Sequence, residues 1–263
     1  MSDAAPVPFA GPARPLSEAG FASAVERLEI DVASLWALIA VETSGFGYLG
    51  DRRPKVLFER HVFHWRTGCR FDAHPDISSP RRGGYLGGAA EYGRLDRAIL
   101  LDRTAALESA AWGLAQLLGH HAMRLGYVGV EDMVARFADG DDEQLDGAVR
   151  FVTANRALWA ALRGRDWANF AYYYNGAAYA ERAYHTRLEQ AYAECSTGQV
   201  PDLAIRGAQA RLTYLGYDPG LVDGRMGPRT RRAIAAFQER AGLAATGTLD
   251  DQTADRLNMT AGA

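Results

Sequence analysis

Apolar residues recur at helical spacing over most of the chain, whereas runs of alternating β-branched residues are scarce. Asp31, a residue type that favours the N-terminal cap of a helix, precedes a stretch whose apolar side chains line one face: Val32, Leu35, Trp36, Ile39 and Ala40. Further helices are expected over about 91–101, 130–137, 143–154, 166–174 and 178–194. The pattern therefore predicts an all-α fold.

Two irregular stretches interrupt this helical pattern. Residues 196–201 are mostly small or polar and end at Pro201, which is typical of a linker. Residues 66–88 contain several prolines and glycines and predict a surface loop, and long loops inside domains are often functional. We therefore expect an N-terminal tail over 1–14, a large helical domain over 15–195, the linker, and a small module over 202–260.

Composition and charge narrow the class of protein. A length of 263 residues with 48% apolar content suits two unequal domains, and a net charge of −3 argues against nucleic acid as a partner. No uncharged apolar stretch approaches the roughly 18 residues that cross a bilayer, and the N-terminus lacks the apolar core of a signal peptide. Cys69 and Cys195 lie far apart. We expect a monomer with reduced thiols and no membrane insertion.

Three short helices joined by glycine-rich turns are expected in the small module. The second begins at Gly227-Pro228, because proline suits a first helical turn, and it ends at Gly242. The module resembles the peptidoglycan-binding domain that accompanies many cell-wall hydrolases, through Gln209-x-x-Leu212, Leu215-Gly216-Tyr217, Val222-Asp223-Gly224-x-x-Gly227-Pro228-x-Thr230, Ala236-Phe237-Gln238, Gly242-Leu243 and Thr246-Gly247. The resemblance implies binding to peptidoglycan glycan strands, with wall contacts expected from Tyr217, Asp223 and Arg229.

Three separated motifs in the large domain carry the candidate chemistry. Glu42 ends the helix that follows Asp31, and a carboxyl partly withdrawn from water there would have the raised pKa that a general acid needs. Gln116 follows Trp112-Gly113-Leu114-Ala115, and its amide can bind the hydroxyl or N-acetyl groups of a sugar. The run Tyr172-Tyr173-Tyr174-Asn175-Gly176 offers rings that stack on sugars, although two of the three tyrosines are expected to pack in the core.

The order Glu-Thr-Ser, Gly-Leu-x-Gln, Tyr-Asn-Gly resembles the goose-type lysozyme and lytic transglycosylase superfamily. A closer similarity, over about residues 15–195, is to the N-acetylmuramidase family of phage endolysins, through Val41-Glu42-x-Ser44-Gly45, Lys55-x-Leu57-Phe58-Glu59-Arg60-His61, Ser109-x-x-Trp112-Gly113-Leu114-x-Gln116 and Tyr174-Asn175-Gly176. It implies a lysozyme-like fold and cofactor-free cleavage of the β-1,4 bond between N-acetylmuramic acid and N-acetylglucosamine. Glu42 would be the proton donor, with substrate contacts from Ser44, Gln116, Tyr174 and Asn175.

Hydrolysis also needs a second group that handles water or the oxocarbenium charge. Glu59 is the candidate, because the segment between it and Glu42 is long enough to return to the same cleft. A lytic transglycosylase is the alternative: it needs no such carboxylate, since the 6-hydroxyl of the substrate closes an anhydro ring. An endolysin without an export signal is expected to be made in the host cytoplasm and to reach the cell wall, in the periplasm, after release.

Two other classes of protein compete with a glycosidase. The first is a zinc-dependent amidase or peptidase, whose ligands would come from His61, His64, Cys69, His120 and His121. However, no third ligand accompanies His61 and His64 at a spacing typical of a zinc site. A non-enzymatic wall-binding protein, the second, would not need the three motifs of the large domain. Neither class explains the whole sequence as well as a glycosidase does.

Overall fold

The computed structural model describes residues 7–42, 45–176, 183–198 and 200–262. The chain divides into two units, of which the first combines residues 1–13 with 47–147 and the second combines residues 14–46 with 148–263. The helices, in chain order, are α1 (Glu18–Leu28), α2 (Val32–Val41), α3 (Arg60–Arg66), α4 (Ala90–Leu101), α5 (Arg103–Glu108), α6 (Val130–Asp139), α7 (Asp141–Thr153), α8 (Arg156–Arg163), α9 (Trp167–Asn175), α10 (Tyr184–Thr197), α11 (Leu203–Tyr214), α12 (Pro228–Arg240) and α13 (Asp251–Ala261).

A small antiparallel sheet lies in the first unit. Its strands are β1 (Val56–Phe58), β2 (Ala110–Trp112) and β3 (Leu117–Leu118), in that order, with Val56 opposite Trp112 and Ala111 opposite Leu118. Short 3₁₀ turns follow at Gly119–His121 and Met123–Leu125. The sheet is too small to change the class of the fold, so the predominantly helical prediction is confirmed.

Most of the helices expected from periodicity are present. The predictions at 91–101, 130–137, 143–154 and 166–174 match α4, α6, α7 and α9 to within two residues at each end. The prediction at 178–194 corresponds to α10, and its residues 178–182 lie outside the described residues. The Asp31 cap is also confirmed, because its carboxylate accepts from the Ser34 N–H at 2.7 Å.

Most of the elements that were not expected from periodicity are short or depend on tertiary contacts; the exception is α1, a helix of 11 residues. Helices α3, α5 and α8 have 7, 6 and 8 residues, which is too little for a helical repeat to stand out. Strand β2 is Ala110-Ala111-Trp112 and contains no β-branched residue. It is held by pairing to β1 and by the fully buried indole of Trp112, whose Nε1 donates to the Leu107 carbonyl at 3.0 Å.

In the second unit, α2 is a core helix that packs along α10. Its buried residues point in several directions, as expected of a helix that is apolar on all sides: Ser34, Leu35, Trp36, Ala37, Ile39 and Val41. On α1, the Phe21 ring lies 5.0 Å from the Trp36 ring, and the last carbonyl of α1, that of Leu28, accepts from Trp159 Nε1 at 2.7 Å. Helix α2 therefore packs against α1 and α10, and α8 contacts the C-terminal end of α1.

The C-terminal module, also in the second unit, forms the three predicted helices α11 to α13 around one apolar cluster of Ala208, Leu212, Ala233, Ile234, Phe237 and Leu257. Gly227 and Pro228 begin α12 as expected, and Gly242 follows its end with a left-handed φ of 71°. Two buried glutamines then fix the loops between the helices.

The first of these, Gln209, explains much of the module's sequence pattern. Its Oε1 accepts from the N–H groups of Asp223 and Gly224 at 3.0 and 2.8 Å, and its Nε2 donates to the Arg225 carbonyl at 3.0 Å. Gly224 has a φ of +76°, and a Cβ there would lie 2.8 Å from the Asp202 carbonyl oxygen, so glycine is required.

The second glutamine, Gln238, repeats this arrangement one helix later. Its Oε1 accepts from the Gly247 N–H at 2.9 Å, and its Nε2 donates to the Thr248 carbonyl at 3.0 Å and to Thr253 Oγ1 at 2.9 Å. Each loop of the module is thus fastened by one side-chain amide from the helix before it, because buried backbone N–H and C=O groups need partners.

Replacing Gln209 by methionine, which has a similar shape but no amide, should destabilise the module. The N–H groups of Asp223 and Gly224 would lose their acceptor, and each buried polar group left without a partner costs about 1–3 kcal/mol. Thermal unfolding followed by circular dichroism should show a clearly lower transition for Gln209→Met. The matched control is Gln252→Met at an exposed position of α13, and equal melting of the two variants would contradict the role given to Gln209.

Candidate active site

Glu42 is the first residue after α2, and it leaves the helix in an extended conformation (φ −72°, ψ 148°). Its N–H still donates to the Leu38 carbonyl at 3.1 Å. The Tyr184 hydroxyl of α10 donates to Glu42 Oε1, and Arg187, about one turn further along α10, donates to the Val41 carbonyl at 2.9 Å. The carboxyl is therefore positioned by the contact between α2 and α10.

The environment of Glu42 favours the protonated carboxyl. Burial raises its pKa from 4.5 to about 7, against the opposing effects of the Tyr184 hydrogen bond and the positive charge of Arg187. The residue is half-buried rather than sealed off from the surface. A carboxyl that is half protonated near neutral pH is suited to general acid catalysis.

Aromatic rings surround the groups that contact Glu42. The Tyr174 and Tyr184 rings are nearly parallel, with centroids 6.3 Å apart, and Phe170 stacks on Tyr174 at 5.4 Å. Phe151 meets Tyr174 edge to face at 5.6 Å. Burial and the nearby Glu42 charge raise the pKa of both the Tyr174 and Tyr184 hydroxyls, which therefore remain protonated donors at neutral pH.

The three tyrosines that end α9, Tyr172 to Tyr174, point to different sides of the helix. Tyr174 packs inward, whereas Tyr172 and Tyr173 are 48% and 43% exposed, so the expectation that two of the three tyrosines are packed is wrong. Asn175 is the last residue of α9, and its side chain hydrogen-bonds the Tyr184 hydroxyl that in turn donates to Glu42. Adjacent residues of a helix point about 100° apart, so the three rings cannot share one direction, but three identical residues give no sign of which one faces inward.

The backbone at Gly45, shortly after Glu42, contacts the C-terminal module. Ser44, a predicted substrate contact, lies outside the described residues. Gly45 donates from its N–H to the Glu42 carbonyl at 2.9 Å, and its own carbonyl accepts from the fully buried Arg206 of α11 at 2.7 Å. Gly45 has a φ of +83°, and a Cβ there would lie 3.0 Å from the Val222 carbonyl oxygen, so glycine permits this close approach.

The other predicted carboxylate, Glu59, lies in the first unit, at the N-terminal cap of α3. Its Oε2 accepts from the Tyr85 hydroxyl at 2.8 Å and lies 3.1 Å from His61 Nδ1. Burial lowers the pKa of His61, and the positive charges of Arg82 and Arg60 act in the same direction, against the carboxylate. Glu59 is thus a carboxylate with 15% of its side chain exposed and two polar neighbours.

The predicted surface loop at 66–88 is irregular, as expected, and several buried or extended side chains hold it in place. Arg60 donates to the carbonyls of Pro75, Arg81 and Arg82 at 2.9 to 3.0 Å. Buried Arg94 donates to the Asp76 carbonyl at 2.8 Å and pairs with buried Glu91, whose carboxylate accepts from the N–H groups of Leu86 and Gly87. The loop therefore presents Tyr85 to Glu59 from a fixed backbone.

Gln116 lies in the turn between β2 and β3, in a left-handed conformation with φ 47°. Its Nε2 donates to the Gly113 carbonyl at 3.0 Å. The turn rests on buried Gln144, whose Oε1 accepts from the Leu114 N–H at 2.6 Å, and a Cβ at Gly113 would lie 2.7 Å from the Gln144 amide. The Gly-Leu-x-Gln motif is therefore a tight turn in which glycine makes room for a second glutamine.

Comparisons with known proteins bear directly on this arrangement. The N-acetylmuramidase family model matches residues 31–196, more than half of the chain. The crystal structure of the Burkholderia AP3 phage endolysin is similar with a TM-score of 0.65 and 41% sequence identity, over 70% of this chain and 72% of that one. The chain belongs to the N-acetylmuramidase family. It is accordingly a lysozyme-type glycoside hydrolase that acts on peptidoglycan.

The module of this N-acetylmuramidase matches the peptidoglycan binding domain model over residues 202–257. Two curated proteins match over short stretches. The carboxy-terminal processing protease CtpB of Bacillus subtilis (strain 168) is 39% identical over 55 residues, and the localization factor PodJL of Caulobacter vibrioides is 46% identical over 52 residues. These stretches are 21% and 20% of this chain but only 12% and 5% of those relatives, so the likeness concerns a shared segment.

The three predicted wall contacts of the module have different surroundings. Tyr217 is partly buried, with its ring 6.0 Å from Phe237, and Asp223 accepts from Gln209 Nε2 at 3.0 Å and from the Arg225 N–H at 2.9 Å. Both side chains therefore also have structural contacts. Arg229 is exposed and pairs with the exposed Asp218.

The residues weighed as zinc ligands do not form one group. The His120 and His121 rings meet edge to face, with their centroids 4.1 Å apart. His64 and Cys69, by contrast, lie together with Asp72, with one possible ligand atom from each residue within 4.8 Å of the others. His61 contacts Glu59 instead. Among the described helices of the N-acetylmuramidase, none combines the length and apolar character needed to cross a bilayer.

Several important side chains were not singled out from the sequence. Tyr184 and Arg187 stand three positions apart on α10, a spacing that places them on one face of a helix. A tyrosine on the buried side of a helix normally has a hydrogen-bond partner, which was an available signal. Gln144 and Arg206 gave no such signal, because their partners are backbone groups distant in sequence.

The raised pKa of Glu42 predicts a pH-dependent cost to stability. The carboxyl ionises at about 7 in the folded protein and near 4.5 when unfolded, so stability should fall as pH rises between these values. Glu42→Gln removes this ionisation and should melt at a higher temperature than the parent above pH 7. The gain in unfolding free energy should be at most about 3 kcal/mol. At pH 4 the difference should vanish.

Calorimetry of the two proteins from pH 4 to 8 measures this effect. Glu189→Gln, at an exposed position of α10, is the matched control and should show no comparable gain. If Glu42→Gln is no more stable than the parent at pH 8, the raised pKa of Glu42 is contradicted.

Proposed function

We propose that this chain cleaves the β-1,4 bond between N-acetylmuramic acid and N-acetylglucosamine, with Glu42 donating a proton to the leaving oxygen. The observation that carries the proposal is the partly buried Glu42 carboxyl, whose pKa is raised to about 7 and which is held by Tyr184 at the end of α2. A donor must hold its proton at working pH and release it as negative charge develops on the leaving group.

The neighbours of Glu42 have complementary roles in this scheme. Tyr184 donates to the carboxyl, which stabilises the carboxylate left after proton transfer, and Asn175 orients the Tyr184 hydroxyl. Tyr174 supports Tyr184 through ring stacking. Tyr172 and Tyr173, which are 48% and 43% exposed, are proposed to stack on sugar faces. Ser44 and Gln116 remain proposed substrate contacts.

Glu59 is the proposed second carboxylate, which activates water or stabilises the oxocarbenium charge. Its support is chemical: it is a carboxylate with limited exposure, and the hydrogen bond from Tyr85 leaves oxygen lone pairs available for water. Lytic transglycosylation with the same proton donor is the second candidate, because the substrate 6-hydroxyl would then replace water and Glu59 would be dispensable.

The C-terminal module is proposed to hold the enzyme on its polymeric substrate. Binding of a module raises the local concentration of glycan strands without taking part in the chemistry. Arg229, which is exposed on α12, and parts of Tyr217 and Asp223 are the proposed wall contacts. We further propose that the protein acts as a monomer on the periplasmic cell wall of a phage-infected host, leading to lysis.

Removing the proton from position 42 should abolish lysis while the fold is retained. General acid catalysis contributes about 10²–10⁴-fold to rate, so turnover of purified sacculi by Glu42→Gln should fall by at least that range. Mass spectrometry of released muropeptides from the parent should show reducing ends. Glu189→Gln controls for the loss of a glutamate charge, and a Glu42→Gln protein with near-parental turnover would exclude Glu42 as the donor.

The same assay separates hydrolysis, in which Glu59 is needed, from transglycosylation, in which it is not. If Glu59 activates water, Glu59→Gln loses most of the reducing-end product. If the reaction is a transglycosylation, the parent releases anhydro ends and Glu59→Gln retains them, which would overturn hydrolysis while leaving Glu42 as the donor.

The pH profile should respond to Tyr184. The hydrogen bond from Tyr184 lowers the pKa of Glu42, so Tyr184→Phe should raise it and move the basic limb of activity against pH upward from about 7. The measurement is the initial rate on soluble glycan fragments between pH 5 and 9. Tyr192→Phe, elsewhere on α10, should leave the limb in place, and a downward shift for Tyr184→Phe would contradict the assignment.

A further inference from the structure

A cluster of reactive side chains that the glycosidase reaction does not use lies just beyond the C-terminal end of α3. Gly68 and Cys69 both have left-handed backbones (φ 60° and 63°), and the Cys69 N–H donates back to the His64 carbonyl at 2.9 Å. This reversal puts Cys69 Sγ 3.4 Å from His64 Nε2. A left-handed conformation is unfavourable for a residue with a side chain and tends to occur at functional sites.

The other nitrogen of the same imidazole is bound to a carboxylate. His64 Nδ1 lies 2.7 Å from Asp72 Oδ1, and Ser78 Oγ donates to that oxygen at 2.8 Å. Hydrogen bonds from Ser78 and His64 hold the pKa of Asp72 below its usual value, so the carboxylate is ionised and Nδ1 carries the proton. His64 Nε2 therefore directs its lone pair at the Cys69 thiol.

Exposure differs sharply between the parts of this cluster. The His64 ring is buried, which fixes its orientation, whereas Cys69 is exposed and can be reached by a reagent. The only other cysteine in the sequence, Cys195, is buried, and burial raises the pKa of its thiol. The protein thus contains one accessible thiol beside a base and one shielded thiol.

The backbone around Cys69 favours one kind of thiol chemistry. Acyl transfer needs N–H donors for an oxyanion, but the N–H groups of Gly68, Cys69 and Arg70 donate to the carbonyls of Trp65, His64 and Thr67. Exchange with a disulfide needs no oxyanion site, only a nucleophilic sulfur and a leaving thiolate. The geometry therefore suits disulfide exchange better than peptide or ester hydrolysis.

We propose that Cys69 is a modification site, a nucleophilic thiol that forms a mixed disulfide with small disulfides, with His64 as general base and Asp72 as its positioning residue. The Cys69 proton passes to His64 Nε2 as Sγ attacks one sulfur of the reagent. A bond forms between Sγ and that sulfur, the original S–S bond breaks, and the leaving thiolate takes the proton. Cys69 sulfur is oxidised and the leaving sulfur is reduced.

Oxidised glutathione is the probe, used on the full chain at pH 7 with intact mass and peptide mapping as readouts. Cys69 should be modified at least about tenfold faster than Cys195 in the same molecule, and Asp72→Asn should slow Cys69 by about tenfold or more. Ser78→Ala, which keeps the Asp72 carboxylate, should have a smaller effect. Continued protection of Cys195 shows that each variant is folded.

Two results would overturn the proposal. If Cys69 reacts no faster in the folded parent than in folded Asp72→Asn, the imidazole does not activate it. If elemental analysis finds bound zinc and Cys69 reacts only after a chelator removes it, the thiol is a metal ligand, a reading that the 4.8 Å grouping of His64, Cys69 and Asp72 also accommodates.

Discussion

A carboxyl that keeps its proton near neutral pH has to be withdrawn from water and yet reach a substrate. In this protein the requirement is met at the contact between α2 and α10, where α2 ends at Val41 and Tyr184 donates to Glu42. The apolar character of α2 fits this arrangement, because a buried helix can bring the residue that follows it into such surroundings. The Tyr174 stack and the Arg187 contact with the helix end serve the same carboxyl.

The environment of Glu42 also balances opposing effects. Burial alone would push the pKa still higher, while the Tyr184 hydroxyl and the Arg187 charge limit the rise to about 7. A donor with a much higher pKa would hold its proton too tightly, and one with an ordinary pKa would have lost it. The two residues on α10 therefore adjust the pKa of the proposed acid, and neither belongs to the motifs that the family resemblance highlights.

The sequence predicted those parts that depend on local pattern. Asp31, Pro228 and Gly242 marked helix ends because capping and turn chemistry are local, and Gln116 and Tyr174 stood out as members of spaced motifs. The β2 strand could not be predicted, since Ala110-Ala111-Trp112 becomes a strand only by pairing with β1. The surroundings of Glu59 could not be predicted either, because its partner Tyr85 belongs to a loop whose backbone is held by Arg60, Glu91 and Arg94. Such long-range polar contacts leave no periodic trace in the chain.

The hydrogen bond from buried Arg206 to the Gly45 carbonyl changes what kind of appendage the C-terminal module is. A binding domain that is joined only by a flexible tether can be exchanged for another without breaking contacts to the rest of the protein. Here an unrelated module joined after α10 would lack both the Arg206 guanidinium that donates to the Gly45 carbonyl and the Val222 carbonyl that lies close to Gly45. Chimeras of this enzyme would therefore need to preserve the contacts that Arg206 and Val222 make with Gly45.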